Sequence, residues 1–327
     1  MKKIISVLLT VIIIAGVFAG CSGGANKADD GKLSIVCTVF PEYDWVMNIL
    51  GEKAQEADVT LLLDNGADLH NFQPTAEDII KVSTCDLFIY VGGASDKWVE
   101  DALANATNEN MIKLNLIEIL GINAKKEQVV EGMQGEEEEE SHASVEEGPE
   151  YDEHVWLSLF NTKLFCTKIT EAIAKLDAEN SQIYYDNAGV YVDKLNELDN
   201  EYKAAMANAK TTTLLFGDRF PFRYLTDDYG LRYYAAFVGC SAETEASFET
   251  VKFLAEKVDE LGLKYVLIID KSDGKLANTI IENTKTKDQQ VMTLNSMQSI
   301  TAQDIENGTS YYDIMAENLE VLKQVTA

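Results

Sequence analysis

Residues 178–210 read AENSQIYYDNAGVYVDKLNELDNEYKAAMANAK, and along them Tyr184, Ala188, Tyr191, Leu195, Leu198, Tyr202 and Met206 recur at steps of three and four. Such steps stack side chains on one face of an α-helix, and no proline breaks the run. At about 1.5 Å per residue the rod is roughly 45 Å long, which outspans one small domain and suits a bridge between two. A two-stranded coiled coil is the competing reading, but the stripe mixes tyrosine and alanine with leucine over only about four heptads.

On the amino-terminal side, β-branched runs alternate with helix-like stretches: LSIVCTVF, a helical YDWVMNILG, DVTLLL, a helix over 75–82, DLFIYVG and a strand-like MIKLNL. A helix with Leu157, Phe160, Leu164, Ile169 and Ile173 on its packed face then leads into the rod. Beyond the rod come TTTLLFGD, a helix in FRYLTDDYG, RYYAAFVG, a helix over 246–261, KYVLIID, a helix over 275–284, QQVMTLNS and a last helix over 310–325. Alternation of this kind builds βαβ units with parallel strands. The predicted fold class is α/β, with two lobes, each with a mainly parallel sheet flanked by helices, joined by one long helix. The expected boundaries are 32–177 for the N-terminal lobe, 178–210 for the linking helix and 211–327 for the C-terminal lobe. No sequence repeat is visible beyond the shared alternation.

The chain starts with Lys2-Lys3, an apolar run from Ile4 to Phe18, and Ala19-Gly20-Cys21. These are the charged, apolar and small-residue parts of a secretory signal, here residues 1–20. The apolar run falls short of the about twenty residues that a membrane span needs. Phe18-Ala19-Gly20-Cys21 resembles a bacterial lipobox, so cleavage before Cys21 and acylation of its thiol are expected. The mature chain would then be lipid-anchored to the outer face of the cytoplasmic membrane, with 21–31 as a flexible tether.

Asp and Glu number 55 against 27 Lys and Arg, a formal net charge of −28. That charge repels nucleic acid and anionic ligands and favours a cation as partner. Cys37, Cys85, Cys166 and Cys240 make no CxxC pair, so they form neither a thiolate metal cage nor a dense disulfide framework. One or two disulfides and buried free thiols both fit an exported chain. Between 125 and 153 the alternation stops, and Glu136, Glu137, Glu138, Glu139 and Glu140 run unbroken. No packed element is expected there, because little apolar surface is available to offset the entropy of ordering.

Histidine is scarce, with three in the chain. His70 lies in ADLHNFQPT after a strand, and His154 in YDEHVWLSL before a helix. Open α/β sheets bind ligands beyond the carboxyl ends of their strands. Asp218, Asp270, Asn295 and Gln298 are expected at such ends as well. Imidazole nitrogens with carboxylate oxygens suit a borderline divalent metal such as Zn(II). Blander roles stand beside these: His70 as a solvated loop residue, His154 as part of a helix cap with Asp152 and Glu153, Asp218 in an ion pair with Arg219 or Arg223, and Asp270 as an N-cap. His142, in the acidic stretch, reads as a solvated residue or a transient metal contact.

The leader with its lipid-type cysteine, ADLHNFQPTAEDI, the acidic stretch, DEHVWLSL, the central helix, FGDRFPFRYLTDDYGL and SYYDIMAENL together resemble the solute-binding lipoproteins of zinc and manganese ABC importers. The resemblance covers essentially the whole mature chain. It implies two α/β lobes on a rigid helix, with His70 and His154 as the first two metal ligands. It puts Asp218 where zinc members carry a third His and manganese members a Glu. The fourth position, usually an Asp, offers Asn295 and Gln298 here, so a neutral oxygen, water or Asp270 would complete the shell. A loop that many zinc members fill with histidine holds glutamate around His142.

Two neutral imidazoles and one carboxylate favour Zn(II), with Mn(II) or Fe(II) as the alternative. The expected function is capture of Zn(II) outside the membrane by a monomer, and its delivery to an ABC permease without covalent chemistry. Glu136–Glu140 and His142 would raise the local cation concentration or simply solvate the loop. A zinc hydrolase is the rival class, against which stand the missing HExxH and GxSxG motifs. A metal-dependent surface adhesin is compatible with capture.

Overall fold

The first sheet begins with β1 (Leu33–Cys37), whose side chains are almost wholly buried, and β2 (Ala57–Leu61), β3 (Leu87–Tyr90) and β4 (Ile112–Asn115) join it in the order β2-β1-β3-β4. The second sheet holds β5 (Thr213–Phe220), β6 (Arg232–Val238), β7 (Tyr265–Ile269) and β8 (Gln290–Leu294) in the order β6-β5-β7-β8. All pairings are parallel, and the two orders are the same path drawn twice. The computed structural model describes residues 31–134, 150–241 and 245–327. The signal, Cys21, the Glu136–Glu140 run and His142 lie outside the described residues.

Helices cover the sheets. In the first half these are α1 (Phe40–Leu50), α2 (Ala76–Thr84), α3 (Trp98–Ala104), α4 (Leu116–Leu120) and α5 (Leu159–Leu176). After α6 (Ser181–Ala207) come α7 (Arg223–Asp228), α8 (Phe248–Leu261), α9 (Lys275–Glu282), α10 (Ala302–Glu306) and α11 (Tyr311–Val325). Their starts follow local chemistry. Thr75 caps α2 and exchanges hydrogen bonds with Asp78, so two orphan backbone groups of the first turn are satisfied. Ser158 caps α5, which removes that role from His154. Among the described residues, no helix is long and apolar enough to cross a membrane.

The rod is α6, preceded by a 3-10 turn at Ala178–Asn180, and all seven stripe residues are buried. It grips both halves. Tyr191 Oη donates to Asp44 on α1 and Asn187 Nδ2 to the Ile49 carbonyl, while Tyr202 Oη donates to the Met315 carbonyl on α11. Trp45 of α1 meets Tyr311 of α11 edge-on, with ring centroids 5.4 Å apart. One apolar core thus runs through both halves, and Leu33–Ala327 form a single compact unit. A second, smaller core lies under α8 and α9.

Two expectations change. Phe160 is 63% exposed, because Leu157 belongs to a 3-10 turn and α5, starting at Leu159, packs through Leu159, Thr162, Cys166, Ile169 and Ile173. The stretch expected to be unpacked is tied down where it is described. Met133 is buried, the Gln134 N–H donates to the Ala236 carbonyl, and the Lys125 N–H donates to Tyr224 Oη. Edge pairing with β6 and one apolar anchor supply there what the acidic composition lacks. Cys37, Cys85, Cys166 and Cys240 form no disulfide.

Candidate metal centre

Asp68 sets the loop that follows β2. Its Oδ1 accepts the His70 N–H at 3.0 Å and caps the 3-10 turn Leu69–Asn71, while its Oδ2 takes Arg219 Nη2 from the second half at 2.8 Å. Burial works against the Asp68 charge, yet His70 and Arg219 hold its carboxyl below the usual range. His154 is wholly buried, just before the 3-10 turn Val155–Leu157. Its Nδ1 lies 2.9 Å from Asp152 Oδ1. Burial opposes protonation of this ring, but the Asp152 carboxylate outweighs it and the pKa rises.

His70 Nδ1 faces Ser95 Oγ at 2.8 Å and Glu153 Oε2 at 3.3 Å, and Glu153 Oε1 accepts the Ser95 N–H. Burial would push the Glu153 carboxyl up, but His70 and Ser95 bring it below its ordinary value. Both rings therefore have their Nδ1 atoms engaged by oxygen, which aims Nε2 of each into the same space. The two Nε2 atoms stand 3.2 Å apart. With each Nδ1 carrying its proton, two lone pairs face one another, and a cation between them relieves the repulsion.

Cys240 completes the cluster. Donor atoms of His70, His154 and Cys240 all lie within 4.8 Å of one another. The sulfur comes from the loop after β6. Its backbone N–H donates to Glu127 Oε1 at 3.0 Å, and Arg219 Nη1 donates to the next carbonyl, that of Ser241. Burial pushes the Cys240 thiol up, and Glu127 and Asp152 add to this. Gly239 lets the loop approach, since a Cβ there would fall 2.9 Å from both His154 Cε1 and the Phe220 carbonyl oxygen.

The other expected ligands stand elsewhere. Asp218 is outside the cluster: β5 has an irregular register between Phe216 and Arg219, and the Asp218 carboxylate turns to the backbone N–H groups of Arg219 and Ile269. That irregularity instead sends Arg219 to Asp68. Asp270 accepts from the Ser296 N–H and hydroxyl, so it shapes the loop after β8. Asn295 Oδ1 accepts the Met297 N–H. Gln298 is buried beside Leu69 and Trp156, and its Oε1 accepts no hydrogen bond. Sequence reasoning missed Cys240, although it follows a strand end just as His70 does.

Two parallel sheets braced by one long helix, with a pair of imidazoles facing a thiol from the opposite half, describe a two-lobed solute-binding protein with donors for a metal cation. Residues 35–325 match the family described as zinc-uptake complex component A, periplasmic (ZnuA), and the chain belongs to that family. It is 31% identical over its full length to the zinc-binding lipoprotein AdcA of Streptococcus pneumoniae (strain ATCC BAA-255 / R6), of which it spans 61%. It is 28% identical to the high-affinity zinc uptake system protein ZnuA of Bacillus subtilis (strain 168), with 96% of each chain covered. The crystal structure of the Zn(II)-bound ZnuA-like domain of Streptococcus pneumoniae AdcA superposes with a TM-score of 0.70 at 26% identity, covering 90% of this chain and 99% of that one.

Proposed function

We propose that this protein captures Zn(II) between His70 and His154 outside the cytoplasmic membrane and hands it to an ABC permease, with no covalent chemistry. The observation that carries this reading is the 3.2 Å approach of two Nε2 atoms whose partner nitrogens are both held by oxygen. Two nitrogens on a tetrahedral zinc, each at about 2.0–2.1 Å, are about 3.3 Å apart, so the pair is already set for the ion. The family and the zinc-binding relatives support the same reading. Lipid attachment at Cys21, a monomeric state, lobes at 32–177 and 211–327, and cation enrichment by Glu136–Glu140 with His142 belong to this proposal.

Metal-stripped protein is expected to bind Zn(II) in preference to Mn(II) and Fe(II) in competitive titration against a chromophoric chelator. His70→Ala and His154→Ala should each weaken zinc by at least about 100-fold, the upper end of what loss of an outer partner alone costs. Unchanged affinity in either variant removes that histidine from the centre. Gly239→Ala should lower affinity by about 10–100-fold through displacement of the His154 ring, although it removes no donor. Wild-type affinity in that variant would show that the loop accommodates a side chain there.

A further inference from the structure

We infer that Cys240 is the third ligand, a thiolate that makes the centre a two-imidazole, one-sulfur site for borderline and soft divalent cations. This rests on the capture of a metal by His70 and His154 proposed above, and it names the class of ion that the site takes.

The loop that carries the sulfur is held by the Cys240 N–H on Glu127 and the Ser241 carbonyl on Arg219, and at Gly239 it passes so close to the His154 ring that a Cβ would clash. Neighbouring carboxylates have other duties. Asp152 holds His154 Nδ1, Glu153 holds Ser95 and His70 Nδ1, Asp68 pairs with Arg219, and Asp218 faces backbone N–H groups. They fix the rings from outside, as outer partners of metal-bound histidines do.

In a tetrahedral zinc site with Zn–N near 2.0 Å and Zn–S near 2.3 Å, nitrogen and sulfur sit about 3.6 Å apart. The three donor atoms, all within 4.8 Å of one another, lie in that range. On binding, the metal takes the place of the thiol proton: one S–H bond breaks, one S–metal bond forms, and one proton leaves to solvent. Thiolate selects zinc, cadmium and cobalt over manganese, which prefers oxygen.

Co(II) is the probe, because sulfur coordination gives it an intense near-ultraviolet charge-transfer band that nitrogen and oxygen ligands do not. The Co(II)-loaded wild type is expected to show the band. Cys240→Ser should lose it and bind zinc at least about 10-fold more weakly. Cys240→His should recover zinc affinity without the band, and excess Mn(II) should fail to displace zinc from the wild type. Circular dichroism checks that both variants fold. Cobalt bound by the wild type without the band overturns the thiolate and leaves the imidazole pair standing. Failure of the wild type to bind Zn(II) or Co(II) overturns metal capture, and the thiolate with it.

Discussion

Trp156→Ala is expected to lower the unfolding free energy by about 3–5 kcal/mol, as truncation of a buried aromatic to alanine does. Trp156 has no exposed surface. Its indole N–H donates to the Ser296 carbonyl at 2.9 Å, and its own carbonyl accepts Tyr311 Oη at 2.7 Å. It therefore ties the segment after His154 to two elements of the second half. The ring also meets His154 edge-on at 5.4 Å, so the variant should loosen the metal centre as well. Trp156→Phe keeps most of the volume and strands the Ser296 carbonyl, for about 1–3 kcal/mol. Urea denaturation of the metal-free protein reads both costs, and a loss below about 1 kcal/mol for Trp156→Ala would sink this account.

The metal-free protein should be less stable at pH 8 than at pH 5, with Glu42 as the main cause. Burial, and then the Asp96 carboxylate, push Glu42 up to about 8 against the hydrogen bonds it accepts from Val39 and Thr38. Burial likewise raises Asp96 to about 7 and Asp44 to about 6. Each keeps a proton in the folded state that the unfolded chain releases near pH 4. Stability present below that point is lost as pH rises through 6, 7 and 8 in turn. His154, also raised, acts in the same direction. Asp68 and Glu153 are lowered, so what they contribute is lost only as pH falls through their depressed values, outside this window. Glu42→Gln keeps the shape of the neutral acid, with its oxygen toward Thr38 and Val39, and should remove most of the slope. Denaturation at pH 5 and 8 measures it, and an unchanged slope in Glu42→Gln would assign the effect to other groups.

The rod was legible because a period of 3.6 over many turns leaves little alternative, and its seven stripe residues are the ones buried. His70 and His154 stood out through scarcity, and the structure brings them together. The place of Asp218 was not legible, because an irregularity in β5 changes which neighbour points inward and composition does not show it, while Cys240 was passed over because it belongs to no CxxC pair. Helices α3, α4 and α10 are five to seven residues long, too short for periodicity to register. The shared strand order was equally hidden, since the two halves fill the same path with different side chains.

The pairing of Gln134 with the edge of β6 has a consequence for how the protein comes apart. The backbone passes from the first half to the second along residues 125–134, has returned by 150, where the Glu127 N–H meets the Glu150 carbonyl, and passes over again through α6. Severing the long helix alone would cut the only covalent link between the halves yet leave residues 125–134 hydrogen-bonded to the second one. With an apolar core common to both, loss of one sheet strips partners from the other, and the pair melts as one cooperative body rather than as two beads on a string.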